Sequence, residues 1–185
     1  MAAVMGTLRT VPALRRPDLL ADPVATALRE WSRADEVLVA EIDPELADTA
    51  AFCAAYQVGL AVSANCVVVA GKRDGQVRYA ACLVLATTRA DVNGVVRRQL
   101  DVRKASFAPM ETAVAETGMA YGGITPIGLP DGWPVLVDPA VVGTPEVVIG
   151  SGLRAGKLVL PGKALADLPG AAVVEGLASA PLPRS

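Results

Sequence analysis

The sequence predicts an α+β domain whose mixed, mainly antiparallel sheet is flanked by helices. Three observations carry that expectation. Short Val- and Leu-rich runs are interleaved with helix signals that do not follow a strict β-α-β order. Two of those runs, within residues 66–86, are joined by a tight-turn dipeptide, Asp74-Gly75. Hydrophobic residues make up 52% of the 185-residue chain but aromatics only 4%, so the core is built from Ala, Val and Leu.

Residues 1–23, with PALRRP at their centre, read as an extended arm. The domain proper spans 24–176, and residues 177–185 form a tail whose two prolines favour fraying from Ser179 onward. Within the domain, Val24 to Trp31 follows Pro23 as a short helix, and ADEVLVAEI (34–42) reads as a strand. Asp43-Pro44 supplies a cap and a first-turn proline for a helix to Tyr56, with Leu46, Ala50 and Cys53 on its buried face.

The hairpin of 66–86 comes next, then a helix capped by Thr88 in which Val92, Val95, Val96 and Leu100 face the core and Gly94 weakens the coil. A short strand at 104–107 leads to a helix that starts at Pro109 and ends at Gly118. YGGITPIGLPDGWP is too rich in Gly and Pro for a regular element and reads as an ordered loop or lid. Strands at WPVLVD, PEVVIGSG and GKLVLP, a helix at GKALADL and a strand at AAVVEG complete the order.

Composition excludes several chemistries. The chain has no histidine, which removes Ser-His-Asp and Cys-His nucleophilic machinery and His-ligated zinc. Cys53, Cys66 and Cys82 are odd in number and widely spaced, so neither a disulfide framework nor a zinc site is expected; they read as reduced, buried thiols. No cofactor and no metal are implied. No apolar run reaches the length of a membrane span and the N-terminus lacks the order of a secretory signal, so a soluble cytoplasmic protein is expected. The net charge of −2 gives no global footprint for nucleic acid. Monomer and homodimer both stay open.

Three segments carry a resemblance: SANCVVV (63–69), KASFAPMETAVAETGMAYGGITPIGLP (104–130) and VVIGSGLRAGKLVL (147–160). In this order they resemble the YbaK and prolyl-tRNA editing family of aminoacyl-tRNA deacylases, over roughly residues 24–174. The family's Gly-x-x-x-Pro loop falls on Gly122, Gly123, Ile124, Thr125 and Pro126. Paired glycines let backbone amides approach a carbonyl oxygen, although turn chemistry alone also explains such a loop. The glycine-rich strand end that closes the family's pocket falls on Gly150, Ser151, Gly152 and Arg154, where a bulged hairpin turn is the plain alternative.

The resemblance implies hydrolysis of the ester of mischarged tRNA at its 3′ acceptor end, with Gly122, Gly123, Thr125 and Asn65 catalytic. Ile124, Pro126, Gly150, Ser151, Gly152 and Arg154 would bind substrate. Asn65 stands where the family carries a lysine that holds the terminal phosphate or ribose, and it supplies hydrogen bonds but no charge. Without the resemblance, Asn65 reads as a strand-entry residue bonded to nearby backbone. Arg97, Arg98 and Lys104 are candidate tRNA contacts near the pocket mouth, or an ordinary solvated face. A module that binds an aminoacyl-nucleotide or another small acylated ligand without catalysis is the competing reading. A Cys66 hydrolase ranks last because nothing could activate the thiol.

Overall fold

The computed structural model describes residues 5–181. Residues 1–4 of the expected arm and 182–185 of the expected tail lie outside that range. The strands in chain order are β1 (Thr10–Pro12), β2 (Leu38–Glu41), β3 (Ala64–Arg73), β4 (Gln76–Leu85), β5 (Arg89–Ala90), β6 (Ala105–Phe107), β7 (Val135–Val137), β8 (Val147–Gly150), β9 (Gly156–Leu160), β10 (Ala171–Val173) and β11 (Ala178–Ser179). The α-helices are α1 (Asp22–Glu30), α2 (Thr49–Tyr56), α3 (Arg97–Leu100), α4 (Met110–Thr117) and α5 (Pro139–Val142).

The expected α+β class is what the chain adopts, with the strands divided between sheets. One sheet has the order β1-β2-β9-β8 and is antiparallel throughout. The second runs β10-β7-β4-β3-β6, with β7 parallel to both β4 and β10, and β5 and β11 form a small ribbon. A lone parallel bridge, Ser63 with Val148, ties the two larger sheets together. Past that bridge β3 and β8 part company, and the parting opens a cleft.

The hairpin of β3 and β4 turns at Asp74 and Gly75, whose φ angles of +52° and +77° are the left-handed values a two-residue primed turn demands. Gly118 closes α4 at φ +67°, as a C-terminal glycine should. Asp43 caps as anticipated, its carboxylate accepting from the Glu45 amide at 3.0 Å. The helix it starts is a single 3₁₀ turn, Pro44–Leu46, and α2 begins separately at Thr49. Phe52 and Cys53 are its buried residues, while Ala50 faces solvent.

Two other expectations are revised. Residues read as an arm instead pair through β1 with β2 and bury Leu19, Leu20 and Ala21 in the main core. The helix expected from Thr88 starts later, because Arg89–Ala90 pairs with Ala178–Ser179 and Thr88 Oγ1 donates back to Leu85. Asp91 is the cap, accepting from the amides of Gly94 and Val95. A side chain at Gly94 would overlap the Asp91 carboxylate, so the glycine permits the tight cap and the π-helical turn Val92–Val96 that follows.

Candidate functional site

The cleft between the sheets is a cavity of about 310 Å³. Asn65 and Cys66 enter it from β3, Gly150 from β8, Asp48 and Thr49 from the start of α2, and Tyr121, Gly122 and Ile124 from the Gly-Pro loop. The sequence-predicted loop, strand start and strand end therefore meet in one place.

Asn65 is held by its neighbour: Thr49 Oγ1 donates to Asn65 Oδ1 at 2.7 Å. With the oxygen occupied, the Asn65 amide nitrogen is the end left to donate. The loop amides divide in two. Gly123 N donates to Ala120 at 2.9 Å and Thr125 N donates to Met119 Sδ at 3.4 Å, so both are spent within the fold. Gly122 N and Ile124 N have no partner among the described residues, and these are the two loop residues of the five-residue motif that line the cavity.

Close backbone packing fixes this loop. Ala120 N donates to Gly152 O at 2.8 Å and Gly152 N donates to Gly123 O at 2.7 Å. A Cβ on Gly123 would sit 2.7 Å from Leu153 O, and one on Gly150 would sit 2.5 Å from Gly123 O. Both positions need glycine for approach, since real Cβ contacts are not this short.

Several expected site residues sit elsewhere. Thr125 is wholly buried and its hydroxyl has no partner among the described residues. Ser151 is also fully buried, and its Oγ lies within hydrogen-bonding distance of Leu153 N and O. Gly152 packs on Ala21 and Val24 of the segment around the start of α1. Pro126 lines a separate, larger cleft of about 680 Å³ with Trp31 and Trp133. That cleft has Glu30 and Asp131 as its charged side chains and no basic group, so it is the poorer candidate for a polyanionic ligand. Arg154 is a rim clamp: Nε donates to Pro44 O and Nη1 to Tyr121 O, each at 3.1 Å, with Asp48 at 3.6 Å.

The basic cluster is displaced from the mouth. Lys104 precedes Ala105, which pairs with Gly71, six residues along β3 from Asn65, a separation of roughly 20 Å. Arg97 turns its Nε onto Asn93 O of its own helix.

Sequence reading missed Lys157. It lies on β9 opposite Gly150, is only 8% exposed, and lines the same cavity. Its Nζ donates to Ala47 O at 3.0 Å, the carbonyl freed by the break before α2, and lies 5.0 Å from the centroid of the Phe52 ring. Burial lowers its pKa from the ordinary lysine value, Cys53 and Asp48 acting in the opposite sense and Arg154 in the same one. The available signal was a lone charge inside the apolar run GKLVL. Cys66 also lines the cavity, but burial pushes its thiol far above the ordinary range. Cys82, behind it, is pushed up to about 12 for the same reason.

The model of the aminoacyl-tRNA editing domain matches residues 43–168, which hold every side chain and amide of the cavity. The chain belongs to the aminoacyl-tRNA editing domain family. Among solved structures, this editing domain is similar to a candidate trans-editing enzyme for prolyl-tRNA synthetase, with 23% identity and a TM-score of 0.70 over 83% of this chain and 94% of that one. A computationally designed epitope scaffold gives the same values, and a hypothetical protein gives 19% identity and 0.70 over 83% and 99%. These likenesses establish a shared fold. No curated protein matches the sequence. Among its described residues the editing domain has no helix long and apolar enough to cross a membrane and no cluster of metal-ligating side chains.

Proposed function

We propose that this editing domain is a trans-editing deacylase that hydrolyses the ester of mischarged aminoacyl-tRNA. The observation that carries the reading is the pair of unspent amides, Gly122 and Ile124, in the one cavity that also holds Asn65. Such donors suit the oxygen of a tetrahedral intermediate, and a preorganised donor of this kind is worth about 100- to 1000-fold in rate.

Water attacks the ester carbonyl and forms the new carbon–oxygen bond, while the carbonyl electron pair moves onto the oxygen held by the amides. Collapse breaks the bond to the ribose oxygen, which takes up the proton the water sheds through the adjacent ribose hydroxyl. Free amino acid and tRNA leave. No enzyme histidine is needed, in keeping with a chain that has none. Asn65 Nδ2, left to donate because Thr49 occupies Oδ1, would hold a ribose oxygen, and Tyr121, 56% exposed at the rim, would offer a face for the terminal base to stack on.

Arg97, Arg98 and Lys104, remote from the cavity, would meet backbone phosphates of the acceptor stem. The cytoplasm, where aminoacyl-tRNA is found, is the expected compartment.

A panel of mischarged tRNAs, each assayed for release of its amino acid, tests the reading. Turnover of at least one supports it. Binding of a non-hydrolysable aminoacyl-adenosine with no turnover of any tRNA assigns the cavity to ligand binding alone.

A further inference from the structure

We propose that the Lys157 ammonium is the counter-charge for the oxyanion formed on the ester carbonyl, a catalytic role that rests on the deacylase reading above. Among the described residues, Lys157 is the only buried basic side chain and the only basic side chain lining the cavity. It forms no ion pair among those residues. A cation taken out of water without a carboxylate partner is costly, and a methionine or leucine would fill the same strand position without that cost. Stability therefore does not account for it.

Orientation does point to a ligand. The Ala47 carbonyl and the Phe52 ring hold the head group on one side. An ammonium has three donors, and Ala47 takes one, which leaves donors for whatever enters the cavity. Depth decides which oxygen that is. Lys157, nearly buried, is at the floor, with Gly150 beside it in the β8–β9 ladder and Gly122 and Ile124 sharing the cavity, whereas the exposed Tyr121 and the half-buried Arg154 that binds its carbonyl mark the rim. The acyl carbonyl goes to the floor and the nucleotide phosphates stay at the rim. As water adds to the carbonyl, negative charge appears on its oxygen and the resident cation offsets it. Lys157 keeps its proton throughout; the leaving ribose oxygen is protonated by the water's proton.

The test measures kcat and KM for the best tRNA of the panel with the native chain, Lys157→Met, and Asn65→Lys/Lys157→Met, each checked by thermal melting. Lys157→Gln, which retains a donor for Ala47, replaces the Met variant should that fail to fold. Loss of one charge-assisted contact made in the transition state lowers kcat by about ten- to a hundredfold with KM little changed. The double variant, with an ammonium returned to the same cavity from β3 of the other sheet, recovers part of the loss. A raised KM with native kcat would move the lysine to a phosphate and overturn the proposal. Native kcat and KM in a folded Lys157→Met would overturn it as well, while leaving the deacylase reading intact. A native chain inactive on every tRNA removes both.

Discussion

Replacing Gly122 with alanine separates the amide mechanism from any side-chain nucleophile. Gly122 has φ +83°, where a Cβ costs about 1 to 2 kcal/mol. The new methyl also overlaps the Arg154 guanidinium, which must swing away and surrender its 3.1 Å bond to Tyr121 O. That bond is part-exposed, so about 1 kcal/mol is a fair value after solvent screening. The sum, about 2 to 3 kcal/mol, lowers the melting temperature by about 4 to 12 °C in a chain of this length and leaves it folded at assay temperature. Activity suffers more, because the displaced residue carries one of the two free amides: a loss of about 100- to 1000-fold in single-turnover deacylation is expected. Gly132→Ala is the matched control. It has nearly the same φ, +82°, with nothing within 4 Å of the added Cβ, so it bears the backbone strain without touching the cavity amides. A folded Gly122→Ala enzyme within about threefold of native rate would refute the amide mechanism, as would an equal loss in Gly132→Ala.

Cys66→Ser should leave turnover within about threefold, since a thiol raised by burial supplies no thiolate at neutral pH; abolished activity would restore the cysteine as nucleophile. Neutralising Arg97, Arg98 and Lys104 together should weaken tRNA binding and flatten the salt dependence by about one unit of slope per lost phosphate contact, measured by titration at several ionic strengths. An unchanged slope would return them to a solvated face. For pH, the Lys157 ammonium is lowered in the folded state from its ordinary value of 10.5, chiefly by burial, with Arg154, Asp48 and Cys53 as the charged or titratable groups acting on it. The unfolded chain then binds the proton more readily, so the penalty is complete below the folded pKa and is relieved as pH rises toward 10.5. Native stability relative to Lys157→Met, from denaturant melts, should climb through that window. A difference that does not vary with pH would contradict burial of the charged form.

Local signals in the sequence predict much of this fold. Asp74-Gly75, Asp43-Pro44 and Gly118 each act through their own backbone, and each sits where its conformational preference places it. The Gly-Pro loop was legible for the same reason. What local chemistry could not disclose was which amides the fold consumes: Gly123 and Thr125 lose theirs to Ala120 and Met119, contacts set by tertiary packing. Thr88 was a sound cap by type, but pairing of β5 with β11, which sets Ala90 against Ala178 and Arg89 against Ser179 from the far end of the chain, carried the chain past it. Lys157 stayed hidden because its partner carbonyl, Ala47, is 110 positions away.

That span of 110 positions also governs when the cavity can exist. Its walls are drawn from both ends of the editing domain: α2 and β3 from the early part, β8 and β9 from the late part. The β2–β9 ladder, Leu38 against Val159, cannot close until residues near 160 have been made, and closing so long a loop is both slow and entropically costly. On the ribosome, the hairpin and α2 can form while the cavity is still half a cleft. A truncated or stalled chain lacking β9 has the Gly-Pro loop and the segment 150–152 that packs on it, but neither the strand that joins β8 to β2 nor the buried ammonium, so the complete cavity arrives late in synthesis and all at once.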